Sequence, residues 1–153
     1  MNYFYLNSDL NTYTWNERSI YGEFYIEIGT IMFPYADWSD IISSVLDMWI
    51  DNTIHLLQFN YNSIAEFNFM DGPYYFNASC ISNETLEIYL FSKNIKVNEK
   101  PYEISFYNFI SELVKTTGII LKYEQIRDVS SIKELYKKYI KLKKLAKLKG
   151  YQL

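Results

Sequence analysis

The chain has few residues of the kinds that usually supply catalysis, crosslinks or flexible linkers. Its 153 residues include one cysteine, one histidine, five glycines and three prolines. A single cysteine, Cys80, excludes an intramolecular disulfide and a cysteine-rich zinc site. The low glycine and proline content excludes collagen-like repeats and argues against long linkers. We therefore expect a single domain over residues 1–153, long enough to bury a sizeable core.

Long apolar runs are also missing. No stretch approaches the roughly 18 consecutive apolar residues that a membrane span needs. The start of the chain, Met1–Tyr5, shows no basic segment followed by an apolar one, so we expect no secretory signal. Together these features predict a cytoplasmic protein with no transmembrane segment.

Groups suited to acid–base or nucleophilic catalysis are scarce. His55 lies among apolar residues and is predicted to be a packed or boundary residue, and Cys80 is predicted to be a buried small hydrophobe. We find no glycine-rich phosphate loop and no metal-ligand spacing. Glu23 and Glu27 could pair as in a glycosidase, but any strand with a solvated face produces such a pair. The sequence therefore predicts no catalytic residues, no metal, no cofactor and no enzymatic activity.

Aromatic residues are abundant, and charge is unevenly distributed. The composition is 19% aromatic, with 16 Tyr and 10 Phe. Residues 1–92 contain twelve acidic residues and one basic residue, a net charge of −11. Residues 93–132 carry +1, and residues 133–153, with eight lysines and one glutamate, carry +7. Such asymmetry bears on partners and not on fold.

The segment Tyr21–Leu57 organises the N-terminal half. Alternation of apolar and polar residues predicts one long strand over Glu23–Phe33, ended by Pro34. Helical spacing then predicts a helix over Trp38–Leu57, with Asp37 or Ser39 as its N-cap. Three aspartates on this helix share one predicted face: Asp40, Asp47 and Asp51. That face is either simply solvated or meets a basic partner.

The remaining pattern predicts an antiparallel α+β fold. Tyr3–Asn7 and Thr12–Trp15 are predicted to form an opening hairpin. A later meander is predicted over Ala65–Met70, Tyr74–Ile81, Thr85–Phe91 and Asn94–Val97. We therefore expect an antiparallel meander sheet, one long helix after the early strands, and two C-terminal helices packed against it.

The two C-terminal helices have predicted boundaries. The first has helical spacing from Phe106 and is predicted to stop at Thr117-Gly118, before a short edge strand over Ile119–Tyr123. A capping box of Ser131 and Glu134 is predicted to open the second, which is lysine-rich, spans about residues 130–150 and stops at Gly150.

The lysine-rich helix leaves several partners open. Its lysines could contact phosphates, but the helix lacks arginine and the −11 over residues 1–92 would repel a polyanion, which argues against nucleic acid. The lysines can instead solvate an amphipathic helix, or complement the acidic part of this chain or of a neighbouring copy. Binding to a membrane surface also stays open.

Four short segments resemble a known group of proteins. They are Phe33-Pro34, Asp37-Trp38-Ser39-Asp40, Val45-Leu46-Asp47-Met48-Trp49 and Phe69-Met70-Asp71-Gly72-Pro73-Tyr74. Over about residues 20–92 the chain resembles small cytoplasmic immunity-type proteins of low-GC Gram-positive bacteria, several of which are encoded near polymorphic toxins. The resemblance implies a non-enzymatic inhibitor of a bacterial toxin without identifying that toxin.

Charge and resemblance lead to one hypothesis. An acidic, aromatic-bearing surface would bind a basic toxin domain, because opposite charge speeds encounter and aromatic side chains anchor interfaces. The candidate partner-binding residues are Glu23, Glu27, Asp37, Asp40, Asp47, Asp51 and Asp71. Within this region Trp38 is predicted to be a core or helix-staple residue. The alternatives are an oligomeric scaffold and an enzyme of unrecognised type using surface carboxylates.

Overall fold

The computed structural model describes residues 1–59 and 61–153. The N-terminal strands are β1 (Phe4–Asn7), β2 (Thr14–Trp15), β3 (Ile20–Glu23), β4 (Tyr25–Ile28), β5 (Ile31–Phe33) and β6 (Ser39–Ile41). Helix α1 (Ile42–Phe59) follows. The later strands are β7 (Ile64–Asn68), β8 (Tyr74–Cys80), β9 (Thr85–Ser92), β10 (Ile95–Lys96) and β11 (Tyr102–Ser105). Helices α2 (Phe106–Leu121) and α3 (Ser130–Leu148) complete the described fold.

In the described part of the chain, the strands form three antiparallel sheets. Strands β1, β4 and β5 form one sheet with β4 in the centre, and β2, β3 and β6 form another with β3 in the centre. The largest sheet has the order β10-β9-β8-β7, and β11 pairs with the earlier part of β9. The predicted fold class is confirmed: an α+β arrangement with antiparallel strands, a long helix after the early strands and two C-terminal helices.

The core is built around Trp49 of α1, which is fully buried. Its indole meets the rings of Phe24, Phe69 and Phe76 edge-on, with centroids 5.1 to 5.3 Å apart. Edge-to-face packing suits the quadrupoles of aromatic rings and adds to the gain from burial. Because Phe24 lies between β3 and β4, while Phe69 directly follows β7 and Phe76 belongs to β8, this cluster joins the N-terminal part to the largest sheet.

Helix α2 covers the open edge of strand β1. The Asn108 amide accepts a hydrogen bond from the Phe4 N–H (2.8 Å) and donates one to the Phe4 carbonyl (3.0 Å). One turn later the Glu112 carboxylate accepts a hydrogen bond from the Leu6 N–H (3.0 Å). Residues at i and i+4 lie on the same helix face, so the two side chains reach alternate backbone groups of one strand. This pairing satisfies an edge that would otherwise be free to pair with another chain.

Substituting Asn108→Ala should lower the free energy of unfolding by about 2–3 kcal/mol, because it leaves the Phe4 N–H and C=O unpaired in a buried position. Urea unfolding would measure the loss. Glu112→Gln should lower the free energy of unfolding by less, because the glutamine amide oxygen can still accept the hydrogen bond from the Leu6 N–H. Equal stability of Asn108→Ala and the wild type would show that α2 does not secure β1.

Helix α3 packs mainly on α1 and also on α2. Its buried residues are Leu135, Leu142 and Ala146. The helix ends at Leu148, shortly before Gly150, where the sequence predicts the stop. After it, Tyr151 turns back and stacks on Tyr107 of α2. Among the described helices, none is both long enough and apolar enough to cross a membrane.

The long strand predicted over Glu23–Phe33 is wrong. This segment contributes to β3, β4 and β5, which belong to two sheets. Gly29 adopts a φ of +60° in the tight connection between β4 and β5, a conformation that glycine tolerates better than other residues. Because the chain reverses there, Met32 pairs with Glu27 and is exposed, and it does not join the buried face with Ile26 and Ile28.

The predicted start of the first helix is also wrong. Residues Ser39–Ile41 form strand β6, paired with β3, and α1 begins only at Ile42. Asp37 lies outside both elements at a φ of +65°. Neither Asp37 nor Ser39 therefore caps this helix. Pairing with β3 outweighs the helical pattern over these residues, as tertiary contacts often do.

Three further local predictions are wrong. The opening strands do not form a hairpin, because β1 pairs with β4 and β2 pairs with β3. Helix α2 continues through Gly118 to Leu121. A Cβ at Gly118 would lie 3.0 Å from the Tyr139 hydroxyl, so this glycine permits close packing of α3 and does not end α2. Helix α3 begins at Ser130 after Val129 with no side-chain cap, which excludes the predicted capping box.

Candidate functional site

One exposed surface carries both carboxylates and aromatic rings. It lies on the outer face of the sheet β1-β4-β5, where Tyr5 of β1 pairs with Glu27 of β4 and Glu27 pairs with Met32 of β5. The neighbouring strand positions Phe4, Leu6, Ile26, Ile28 and Phe33 are buried, as alternation along a strand requires. We call the following residues the acidic sheet surface: Tyr3, Tyr5, Asp9, Glu23, Tyr25, Glu27, Met32 and Asp37.

The aromatic residues of this surface are accessible. Tyr5 is 47% exposed, and its ring centroid lies 4.4 Å from that of Tyr3, which is also exposed. Met32 is exposed on β5, on the other side of Glu27 from Tyr5, and Tyr25 is half-buried. Exposed tyrosines that stand on a rigid sheet can bury a large area against a partner at low entropic cost.

A hydroxyl bridge places Asp9 beside Glu23. The Thr12 side chain donates a hydrogen bond to the Asp9 carbonyl (2.6 Å) and accepts one from the Glu23 N–H (2.9 Å). The Ser8 hydroxyl also donates to the Glu23 carbonyl (2.7 Å). These bonds fix the loop after β1 against the end of β3. They bring together two carboxylates that are fourteen positions apart in the chain.

Asp37 reaches the same region from the loop before β6. The Phe24 N–H donates to the Trp38 carbonyl (2.8 Å), which holds this loop against the start of β4. Trp38 is buried among the rings of Tyr35 and Tyr74, whose centroids lie 5.1 and 5.2 Å away. The side chain of Asp37, one position earlier, is exposed. Trp38 therefore anchors the loop that presents Asp37, and its predicted role as a core residue is confirmed.

The carboxylates of the acidic sheet surface repel one another. Partial desolvation raises the pKa of Glu23, and the negative charges of Asp37 and Asp9 raise it further. Partial desolvation likewise raises the pKa of Tyr25, with further contributions from Glu23, Glu27 and Asp37. Negative charge is thus concentrated around Tyr25. Among the described residues, no lysine or arginine forms an ion pair with these carboxylates.

Asp40 occupies a different environment from the one that the sequence predicts. It lies on β6 rather than on the helix and is 3% exposed. Its carboxylate accepts hydrogen bonds from the Trp38 indole (2.9 Å), the Ile41 N–H (2.7 Å) and the Met70 N–H (3.1 Å). Asp40 therefore joins the β5–β6 loop to the end of β7 and does not share an exposed helix face with Asp47 and Asp51.

Asp47 and Asp51 lie one turn apart on α1 and share a cation. Lys138 of α3 donates to Asp47 Oδ2 at 2.8 Å and to Asp51 Oδ2 at 2.5 Å. Burial alone would lower the pKa of Lys138, but the hydrogen bonds and negative charges of both aspartates raise it overall. Both aspartates are therefore ion-paired within the chain, and the single positive charge of Lys138 compensates half of their combined charge. The remaining predicted residue, Asp71, is exposed in the turn between β7 and β8, where Gly72 packs on Trp38.

Substituting Lys138→Gln should lower the free energy of unfolding by about 0.5–1 kcal/mol at neutral pH, because it leaves two adjacent, partly exposed carboxylates on α1 without their cation. The pKa of Lys138 is raised on folding, so its contribution is present below the unfolded-state pKa of roughly 10.4 and is lost as pH rises through the higher folded-state pKa. Urea unfolding from pH 7 to pH 11 should show the two proteins converging. A constant difference over that range would contradict this assignment.

A polar cavity of about 420 Å³ lies where α1, α3 and residues Arg18 and Ser19 meet. Its walls include two carboxylates, Asp47 and Glu134. Each is already paired with a lysine, Asp47 with Lys138 and Glu134 with Lys137 at 3.2 Å. The cavity thus presents compensated ion pairs and not the converging free carboxylates that acid–base chemistry on a sugar needs.

Cys80 and His55, the residues considered for nucleophilic or acid–base chemistry, have different surroundings. Cys80 is buried on β8, as predicted, and desolvation raises the pKa of its thiol, with a smaller opposing effect of a hydrogen bond to Ser63. His55 lies on the exposed side of α1, where its ring contacts the ring of Phe59, so it is not buried in the core. Over residues 1–59 and 61–153, no group of three or more His, Cys, Asp or Glu side chains is placed to hold a metal ion.

Sequence reasoning found part of this arrangement. Glu23, Glu27 and Asp37 belong to the acidic sheet surface, whereas Asp40, Asp47, Asp51 and Asp71 lie elsewhere. Asp9 and the exposed tyrosines were missed, although the alternation of Tyr3 and Tyr5 with Phe4 and Leu6 could have indicated an exposed aromatic face. Comparison with known protein families, with curated proteins and with solved structures finds no match to this chain.

Proposed function

We propose that this chain is a non-enzymatic protein-binding module that uses the acidic sheet surface to bind a basic protein partner. The observation that carries the proposal is the cluster of Glu23, Glu27 and Asp37 around Tyr25, with Asp9 beside Glu23; the neighbouring negative charges contribute to the raised pKa of Glu23 and of Tyr25. Among the described residues, none of these carboxylates has an ion-paired cation. A basic partner would relieve this repulsion on binding. The free energy stored as repulsion in the unbound protein would then favour the complex.

The surface also has the composition of an interface. Tyr3, Tyr5 and Met32 supply accessible apolar area beside the carboxylates. Tyrosine and methionine are enriched at protein interfaces, where charged groups at the rim steer encounter and aromatic rings provide much of the affinity. Tyr5, Glu27 and Met32 of this surface lie on paired strands. The loops that carry Asp9 and Asp37 are held by hydrogen bonds to residues 23 and 24, so binding does not require a loop to become ordered.

The resemblance to immunity-type proteins makes the proposal specific. We propose that the partner is a basic toxin domain and that the chain neutralises it by occupying its positively charged surface. A toxin that acts on nucleic acid needs such a surface to hold phosphates. An acidic protein that covers it would block substrate by competition, and no catalytic step by the inhibitor would be needed.

The test is capture of the partner from the source organism by the tagged full-length chain, at low and at high salt. We expect a basic protein to be retained at low salt and released at high salt, because screening weakens contacts between exposed charges. That protein should arrest growth when expressed alone and cease to do so when this chain is co-expressed. Retention of only a second copy of this chain would favour the oligomeric scaffold, and growth arrest that persists on co-expression would contradict the inhibitor.

A further inference from the structure

A second charged surface of opposite sign lies on helix α3. Five lysines occupy its solvent-facing side at intervals of three or four residues: Lys133, Lys137, Lys141, Lys144 and Lys147. With a rise of 1.5 Å per residue they extend over about 21 Å of helix. We call these lysines, together with the neighbouring Tyr136, Ile140, Leu148 and Leu153, the basic strip.

The charge of the basic strip is almost uncompensated. Lys137 pairs with Glu134, a contact between two exposed side chains that contributes little. Among the described residues, Lys133, Lys141, Lys144 and Lys147 have no carboxylate within 4 Å. Lys138, the lysine that pairs with Asp47 and Asp51, lies on the inner side of the helix and is not part of the strip.

Apolar side chains lie between these lysines. Leu148 is 84% exposed, and Tyr136 and Leu153 are also exposed. A cavity of about 550 Å³ at the end of α3 is lined by Ile140, Lys143, Lys144, Lys147, Tyr151, Gln152 and Leu153. The buried residues of α3 already pack this helix on α1 and α2. The exposed Leu148 and Leu153 are therefore not needed to hold the helix in place. Apolar groups that remain in water beside a row of lysines indicate a partner that is both anionic and apolar.

We propose that the basic strip binds the surface of an anionic phospholipid bilayer. The lysines would meet headgroup phosphates, and Leu148, Leu153 and Tyr136 would enter the boundary between headgroups and acyl chains. Nucleic acid would match the charge but would gain nothing from exposed leucines. The strip also lacks arginine, the residue that recognises phosphates and guanine through paired hydrogen bonds.

The position of α3 in the fold permits this contact. The helix packs on α1 and α2, whereas the acidic sheet surface belongs to β1, β3, β4, β5 and their loops. The lysines of the basic strip therefore lie on different elements from the acidic sheet surface. The acidic residues of α1 next to α3, Asp47 and Asp51, are paired with Lys138. The proposal does not depend on the proposed function, because the two surfaces share no residue.

Co-sedimentation of the full-length chain with lipid vesicles tests the proposal. We expect at least about tenfold stronger binding to vesicles of phosphatidylcholine with phosphatidylglycerol than to phosphatidylcholine alone, with a decrease as salt rises. The variant Lys137→Gln/Lys141→Gln/Lys144→Gln/Lys147→Gln should lose that preference. A control with the same charge change on other elements, Lys93→Gln/Lys96→Gln/Lys100→Gln/Lys122→Gln, should keep most of it.

A third variant distinguishes binding to a bilayer from binding to other polyanions. Leu148→Gln/Leu153→Gln leaves the charge unchanged and should weaken vesicle binding severalfold, because the apolar insertion is lost. Circular dichroism would confirm that all variants keep their helices. Equal binding to both kinds of vesicle, or equal loss in the two lysine variants, would overturn the proposal. So would tighter binding to duplex DNA than to vesicles with no effect of the leucine substitutions, which would assign the strip to nucleic acid.

Discussion

Asp40→Ala should lower the free energy of unfolding by about 3–4 kcal/mol, more than any other single aspartate substitution in the acidic N-terminal part. The change removes the acceptor for the Trp38 indole N–H, the Ile41 N–H and the Met70 N–H at a position that is 3% exposed. Each buried donor left without a partner costs about 1–3 kcal/mol, and the small side chain leaves part of the space unfilled.

Urea unfolding of three proteins would measure this effect. Asp40→Asn should fall between Asp40→Ala and the wild type, because its amide oxygen still accepts a hydrogen bond while its NH₂ group needs an acceptor of its own. Asp71→Ala is the matched control at an exposed position of the same region and should change stability by less than about 0.5 kcal/mol. Similar stabilities of Asp40→Ala and Asp71→Ala would mean that the Asp40 carboxylate does not secure the loop. Partner binding by Asp40 would then regain support.

The largest functional effect is expected from reversing charge on the acidic sheet surface. The variant Glu23→Lys/Glu27→Lys/Asp37→Asn should weaken binding of the proposed basic partner by about 100-fold or more, because cations would face cations across the interface. Asparagine is chosen at position 37 because the backbone there has a φ of +65°, which Asn and Asp tolerate better than lysine. Most of the loss should appear at low salt, where exposed charges are least screened.

A matched control makes this result specific. Glu66→Lys/Glu99→Lys/Glu124→Gln changes the net charge by the same amount at exposed positions outside the acidic sheet surface. Titration calorimetry with the captured partner should give near wild-type affinity for the control, and co-expression should rescue growth only with the control and the wild type. An equal loss of affinity in both variants would show that net charge matters and the location of the surface does not. No loss in either would contradict the proposed surface.

Stability measurements on the same variant separate binding from folding. Glu23 and Tyr25 have pKa values raised by desolvation and by neighbouring negative charges. Removing that repulsion should leave the fold unchanged or slightly more stable. If the free energy of unfolding rises when these charges are removed, the charges do not contribute to folding, which is consistent with a role in binding. Loss of affinity without loss of stability is therefore the expected combination.

The sequence pattern partly encodes the position of Lys138 on α3. Lys138 lies three residues after Leu135 and four before Leu142, both of which are buried. A lysine on the apolar side of an amphipathic helix must find an anion where the helix packs, and here it finds Asp47 and Asp51. Pairing of C-terminal lysines with the acidic part of this chain was one of the possibilities that the sequence left open, and the apolar pattern could have singled out Lys138 among the eight. It could not have named the partner, because the helices that meet are about ninety residues apart in the chain.

The sequence by itself determined the fold class, the later strands β7, β8 and β9, the cores of the three helices and the opposite charges of the two ends. These features depend on local periodicity and composition, which a linear pattern records. Tertiary structure alone decided that residues 23–33 divide between two sheets, that Gly118 serves packing, and that Asp40 is buried while Glu23, Glu27 and Asp37 gather around Tyr25 with Asp9. Strand pairing and the neighbours of a side chain depend on contacts between distant segments. A carboxylate looks the same in the sequence whether it accepts buried hydrogen bonds or faces water.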